Sequence, residues 1–236
     1  MNEQFERTKA LLGIEGLNKL NNANVIIFGI GGVGGYVCEA LARSGVGNFT
    51  LVDHDVISVT NINRQIIATY NTVGNYKVDE MKKRILEINP KAIVEVRKEF
   101  FLSETSHTYD FSKYDYVIDC IDTISAKIEI IRKAKEENVE LISSMGTGNK
   151  IDPTKFQVAD ISKTSVCPLA RVMRYELKKR NIKDVKVVFS TENPYNINLQ
   201  DDENNRKSIP ASSSFVPPVC GFIIASEVVK SIVNNR

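Results

Sequence analysis

Apolar positions along this chain alternate between two periods. Residues 24–28 (NVIIF) form a short apolar run, rich in β-branched residues and closed by Gly29. GIGGVGG follows, then a segment whose apolar residues Val33, Val37 and Leu41 recur at helical spacing until Gly45. That pattern predicts a strand, a glycine turn and a helix. The alternation continues with a strand over 48–53, a helix over 76–88 stopped by Asn89-Pro90, strands over 92–97 and 115–120, a helix over 125–138 and a strand over 139–145. Elements in this order predict an α/β fold, a doubly wound, mostly parallel Rossmann-like sheet with helices on both faces. The near-continuous apolar runs NVIIF and DYVID suit strands covered on both sides.

Beyond Met145 the rhythm changes. Strands are predicted over 155–161 and 184–190, around a helix from Pro168 to Arg180. Residues 191–214 are polar, have no periodic apolar face, and predict a long mobile loop. Residues 219–233 carry Phe222, Ile223, Val228, Val229 and Ile232 at amphipathic spacing and predict a last helix packed on the body. Pro217-Pro218 stiffens its entry. The residues ahead of the first strand predict a short helix and a connector. The pattern divides near residue 150, into a core over 1–150 and a C-terminal strand and helix extension over 151–236 packed on it as one domain.

Composition narrows the class. The 236 residues are 42% apolar and 25% charged, with 31 Lys and Arg against 29 Asp and Glu. Those proportions belong to globular chains and exclude collagen-like, low-complexity and disulfide-framework classes. The cysteines (Cys38, Cys120, Cys167, Cys220) are scattered without a CxxC pair, so a four-thiolate zinc site has no support. No secretory pattern precedes the first strand, and scattered thiols suit a reducing cytosol, so the expected location is cytoplasmic. The apolar stretch 219–225 is too short to span a bilayer, so no membrane span is expected.

The strongest chemical signal is Gly29-Ile30-Gly31-Gly32-Val33-Gly34. Glycines admit positive φ and bring backbone N–H groups close to a phosphate at a helix N-terminus. Gly29, Gly31, Gly32 and Gly34 are therefore candidate nucleotide-binding positions. Asp53 ends the next strand, where an acid can hydrogen-bond ribose hydroxyls. Asp55 either assists it or caps the turn. To this point a dinucleotide-dependent dehydrogenase is a serious competitor. Asn61, Arg64 and Gln65 then follow at the same end of the sheet, Lys77 opens the next helix, and Asp122 lies just past the strand DYVIDC. A nicotinamide needs neither two cations nor a second carboxylate there. A triphosphate does: Arg64 and Lys77 can neutralise phosphate oxygens, and Asp122 can hold Mg²⁺. The implied cofactors are ATP and Mg²⁺, and the implied chemistry is attack of a carboxylate on the α-phosphate.

GxGGxG, Asp53, the NxNRQ run (61–65), Lys77 and the DxxD run (119–122) together resemble the adenylation core of the ubiquitin-activating-enzyme-like proteins, over roughly residues 5–145. The resemblance implies that Gly31 and Gly32 line the ATP site and Asp53 holds the ribose. It implies further that Asn61, Arg64 and Lys77 contact phosphates and that Asp122 binds Mg²⁺, which makes residues 1–150 the ATP-binding adenylation core. Arg7, in FERTK, matches an arginine that such homodimers insert into the neighbour's ATP site. That implies a homodimer, and an arginine acting in trans on developing phosphate charge is physically sound.

Sulfur-carrier activators of this superfamily commonly hold zinc through two CxxC pairs, which this chain lacks. Residues 143–178 and 214–230 resemble instead a different subgroup, the bacterial tRNA threonylcarbamoyladenosine dehydratases, and with them the resemblance spans nearly the whole chain. It implies that the threonyl carboxylate of this modified adenosine, next to the tRNA anticodon, is activated by ATP. A nitrogen or oxygen of the same side chain then closes a ring with net loss of water, a step that proximity favours. Independently, eight cations against two acids lie between residues 163 and 186, on a chain of formal net charge +2. Such a concentrated basic element is a footprint for a phosphate backbone, with Lys163, Arg171, Arg174 and Lys178 as candidates. A solvated helix face is the bland alternative.

Other roles stay open at this level. Cys167 has no histidine beside it in sequence, and ring closure within one side chain needs no covalent relay, which weighs against a thioester or persulfide role. A cysteine desulfurase or other sulfur-acceptor protein is carried as a further partner. Lys150 and Asp152 either contact the activated carboxylate or shape a turn. Two rival functions are an adenylyltransferase for the C-terminal glycine of a sulfur-carrier or ubiquitin-like protein, and a non-catalytic dinucleotide-binding module.

Overall fold

The structure, a computed structural model, describes residues 3–197 and 210–234. Its elements in chain order are α1 (Glu6–Asn22), β1 (Asn24–Phe28), α2 (Gly34–Ser44), β2 (Asn48–Val52), α3 (Lys77–Ile88), β3 (Ile93–Arg97), β4 (Tyr116–Asp119), α4 (Ile124–Glu136), β5 (Glu140–Ser144), β6 (Phe156–Asp160), α5 (Pro168–Lys179), β7 (Lys186–Ser190) and α6 (Val216–Asn234). The strands form one seven-stranded sheet in the order β3-β2-β1-β4-β5-β7-β6. Every neighbouring pair is parallel except β6 and β7, so the expected mostly parallel doubly wound sheet is what the chain forms. The chain runs outward from β1 to β3 and then returns to β4. The strand order thus reverses between β1 and β4, where a crevice opens at the carboxyl ends of the strands.

Successive strand residues point to opposite faces, and both faces are covered. Val25 and Ile27 join a core built with residues of α1, α2, α3 and α6. Ile26 and Phe28 join a second core built with residues of α4 and α5 and with Phe101, Tyr109 and Phe111. A buried carboxylate links two helices of the first layer: Glu39 of α2 accepts hydrogen bonds from Arg84 of α3 at 2.6 and 3.0 Å and from Arg43 at 2.8 Å.

Three sequence expectations are corrected. The N-terminal helix is longer than a short helix and connector, because α1 continues to Asn22 through a kink at Gly13, whose φ of 75° a glycine tolerates. The last helix starts at Val216, takes Pro217 and Pro218 into its first turn, and runs on through Glu227 and Lys230. By length and composition alone it is long and apolar enough to cross a bilayer, a test that the core helix of a soluble protein also passes. Half of it is buried within this fold, where it packs on α1 and α2. Of the expected 191–214 loop, residues 198–209 lie outside the described residues. The parts on either side are held: Tyr195 N donates to Asn149 O at 2.8 Å, and Asn149 N donates to Ala211 O at 2.7 Å.

Candidate functional site

The crevice has a volume of about 950 Å³ and is walled by the segments leaving β1, β2, β4 and β5. The turn after β1 leaves no room for a side chain at Gly29 or Gly34. Gly29 has φ of 86°, and a Cβ there would lie 2.9 Å from the Cys120 carbonyl. A Cβ on Gly34 would lie 1.8 Å from Gly29 O. Gly31 differs, because its side faces the crevice and the nearest atom a Cβ would meet is Gln65 Nε2 at 3.9 Å. Gly29, Gly31 and Gly32 line the crevice, whereas Gly34 does not and serves instead to let the turn close.

Asp53 follows β2 and is fixed by backbone donors. Ile30 N donates to its Oδ2 at 2.7 Å, and Asp55 N donates to its Oδ1 at 2.9 Å. The carboxylate is thereby clamped against the glycine turn, with lone pairs left on both oxygens. Asp55 pairs with Lys77 Nζ at 2.5 Å, and Lys77 is buried at the start of α3. Asn61 Oδ1 accepts from Ser58 N at 3.1 Å, closing a capping box that sets the loop between β2 and α3.

Arg64 hangs from this loop. Its guanidinium donates to Thr60 O at 3.1 Å and Asn63 Oδ1 at 2.9 Å, and it meets no carboxylate among the described residues. Burial lowers its pKa from the ordinary value, yet an arginine remains a cation at neutral pH. Gln65 is buried, and its Oε1 finds no hydrogen-bond partner among the described residues. Asp122 is exposed in the crevice wall; among the described residues its one hydrogen bond is a long 3.5 Å contact from Thr123 Oγ1, and no cation neutralises it.

Other side chains support these. Asp119 and Lys127 are both fully buried and pair at 2.8 Å. Lys127 Nζ also donates to Ile121 O at 3.1 Å and Ser144 O at 2.8 Å, and Ser143 Oγ donates to Asp119 at 2.6 Å. One ammonium thus ties the loop carrying Asp122 to the end of β5. Sequence reasoning missed Lys127, although it stands in an i, i+3, i+4, i+7 stripe with the buried Ile130, Ile131 and Ala134. Asn149 was missed too, with its φ of 56° and its side-chain Oδ1 accepting from Ala211 N at 2.6 Å. Lys150 is buried, lines the crevice and donates to Gly146 O at 3.2 Å. Asp152 caps a turn by accepting from Thr154 N at 2.9 Å, so the turn-shaping alternative describes it.

Two expected groups lie elsewhere. Arg7 is exposed on α1 and does not line the crevice. Lys163, Arg171 and Lys178 are exposed around α5, whereas Arg174 is half-buried, with its guanidinium donating to Thr164 O at 2.7 Å and Thr164 Oγ1 at 2.5 Å. Cys167 is buried in the crevice wall just before α5. Burial pushes the Cys220 thiol up to about 12 and the Cys120 thiol well above its ordinary value, so neither supplies a thiolate at neutral pH.

The residues present fit a nucleoside triphosphate. An uncompensated arginine, a buried lysine, a clamped ribose-type acid, an orphaned amide oxygen and an unneutralised carboxylate converge on one glycine-floored crevice at the switch point. Such a fold and site define a nucleotide-binding α/β protein. A family model described as ThiF family matches residues 5–236, and the chain belongs to that family. It is 45% identical over 245 residues to the tRNA threonylcarbamoyladenosine dehydratase of Bacillus subtilis, an alignment covering 100% of this chain and 96% of that protein. The crystal structure of the E. coli tRNA N6-threonylcarbamoyladenosine dehydratase in complex with ATP superposes with a TM-score of 0.89 at 35% identity, covering 98% of this chain and 93% of that one. A second structure of the E. coli enzyme, in complex with AMP, superposes with a TM-score of 0.88 and covers 98% of this chain and 94% of that one, again at 35% identity.

Proposed function

We propose that this protein is an enzyme that uses ATP to dehydrate threonylcarbamoyladenosine in tRNA, closing the modification into a ring. The observation that carries it is that one glycine-floored crevice holds both an arginine, Arg64, and a carboxylate, Asp122, that are each without a counter-charge among the described residues. The chain that holds this crevice is matched from end to end by a dehydratase.

The chain's own groups account for each requirement. Val52, Phe100 and Phe101 give the crevice an apolar wall beside Asp53 where a base fits. Asp53 holds the ribose, and Asp55 either helps or serves only to hold Lys77. The N–H groups around Gly31 and Gly32 approach phosphate oxygens, as does the Asn61 amide, and Gln65 offers its orphaned oxygen as acceptor. Arg64 and Lys77 stabilise the charge that develops as a substrate carboxylate oxygen bonds to the α-phosphorus and the bond to pyrophosphate breaks. Mg²⁺ on Asp122 would supply charge neutralisation for the polyphosphate. The neighbouring nitrogen or oxygen of the same side chain then bonds to the acyl carbon, the bond to AMP breaks, and one proton leaves. Proximity favours this second step.

The protein acts as a homodimer in this proposal, with Arg7 delivered to the partner's crevice, since within one chain it lies outside. It works in the cytoplasm, where tRNA and ATP meet. A cysteine desulfurase or sulfur-acceptor partner finds no support in the buried thiols. Residues 1–150 supply the nucleotide crevice and 151–236 the acceptor wall. Mass spectrometry of tRNA nucleosides before and after incubation with protein and ATP tests the function. A loss of one water from threonylcarbamoyladenosine is expected, and an unchanged mass would remove the proposal.

A further inference from the structure

We infer that the exposed face of α5 seats single-stranded nucleotides flanking the modified adenosine, with Tyr175 as the stacking platform. The inference rests on the tRNA reading above. α5 starts in the crevice wall, where Cys167, Pro168 and Leu169 line the cavity. Its buried side is Ala170, Met173 and Leu177, which leaves Arg171, Tyr175, Lys178 and Lys179 in solvent.

Tyr175 is 67% exposed, and no ring stacks on it among the described residues. Helical spacing places Arg171 one turn before it and Lys178 and Lys179 one turn after. None of these three cations meets a carboxylate among the described residues, whereas Arg180 is bound to Glu176 and Arg174 to Thr164. An exposed ring encircled by uncompensated cations is the composition of a site for a single nucleic-acid strand: the ring takes a base face and the cations take phosphates. A duplex hides its base faces, so a loop is the better occupant. At 1.5 Å per residue Tyr175 lies about 10 Å along the helix from Pro168. A strand whose reacting base enters the crevice therefore carries its neighbours over this ring.

The test is fluorescence anisotropy with a labelled anticodon stem-loop RNA bearing threonylcarbamoyladenosine, and with a fully paired duplex of the same composition. Tyr175→Ala is expected to weaken stem-loop binding about tenfold or more, while Tyr175→Phe keeps wild-type affinity and duplex binding does not change. Arg171→Ala and Lys178→Ala should each lower the salt slope by about 0.7. ATP binding, followed by calorimetry, should be unchanged throughout. Wild-type stem-loop affinity in Tyr175→Ala, or equal losses in Tyr175→Ala and Tyr175→Phe, would overturn the inference. So would an equal loss of duplex binding. If the wild-type protein converts the nucleoside while Tyr175→Ala converts it with the same KM, only the α5 surface falls. If the wild-type protein neither binds the RNA nor converts it, the function falls as well.

Discussion

Lys127 and Asp119 form an ion pair sealed from solvent, 2.8 Å apart, beneath the loop that carries Asp122. The lysine's remaining donors go to Ile121 O and Ser144 O, and the aspartate also accepts from Ser143. Removing either partner leaves a buried charge without its counterpart. Lys127→Met is expected to cost about 3–5 kcal/mol in urea unfolding, and adding Asp119→Leu should restore much of that. A double variant no more stable than Lys127→Met would refute this account.

The glycine turn separates folding from binding. Gly34→Ala places a Cβ 1.8 Å from Gly29 O, and a loss above about 3 kcal/mol is expected in thermal or urea melts. Gly31→Ala meets nothing closer than 3.9 Å within the protein, so its melting point should stay near wild type. Its ATP affinity should fall, because the new methyl occupies space a phosphate needs. Equal ATP affinity in Gly31→Ala would place the nucleotide elsewhere.

Arg64 and Asp122 touch little in the protein itself, so their loss should spare the fold. Arg64→Ala is expected to lower ATP–pyrophosphate exchange about 10²–10³-fold with an unchanged circular dichroism spectrum. Asp122→Asn should raise the Mg²⁺ concentration needed for half-maximal exchange. Exchange in Asp122→Asn that follows the wild-type Mg²⁺ curve would deny this carboxylate a role in holding the ion.

Glu39 makes stability depend on pH in the acid range. Burial alone would raise its carboxyl, but hydrogen bonds and charge from Arg84 and Arg43 outweigh that and hold it below its ordinary 4.5. A group lowered in the folded state adds stability that is fully present above its unfolded value and disappears as pH falls through the folded one. The urea midpoint should therefore decline below about pH 4.5, and Glu39→Gln should flatten that decline. An identical acid profile in Glu39→Gln would show that other carboxylates set it.

Much of this was readable from local pattern. Strand runs, the glycine turn and the helix periods depend on neighbours in sequence, and the sheet follows them. The residues leaving β1, β2 and β4 share one end of a parallel sheet by topology, so their convergence was readable too. Lys127 was not, because a lysine in a charged helix looks solvated until the helix face is counted. Arg174 shares a helical face with Arg171 and Lys178 in sequence, but Thr164 from the preceding segment takes its guanidinium, a contact set by tertiary folding. Tyr175 carried no signal until the bound and unbound cations around it could be told apart.

The last helix meets the first glycine-turn helix at close range. A Cβ on Gly221 would lie 2.5 Å from Val33 O, and Phe222 packs edge-on against Tyr36 at 5.6 Å. The segment that opens the crevice is therefore roofed by a helix distant from it in sequence. A nascent chain halted before α6 keeps the oily back of α2 bare. Of α6 only Pro217 lines the crevice, so the helix serves that site chiefly by bracing the turn from behind.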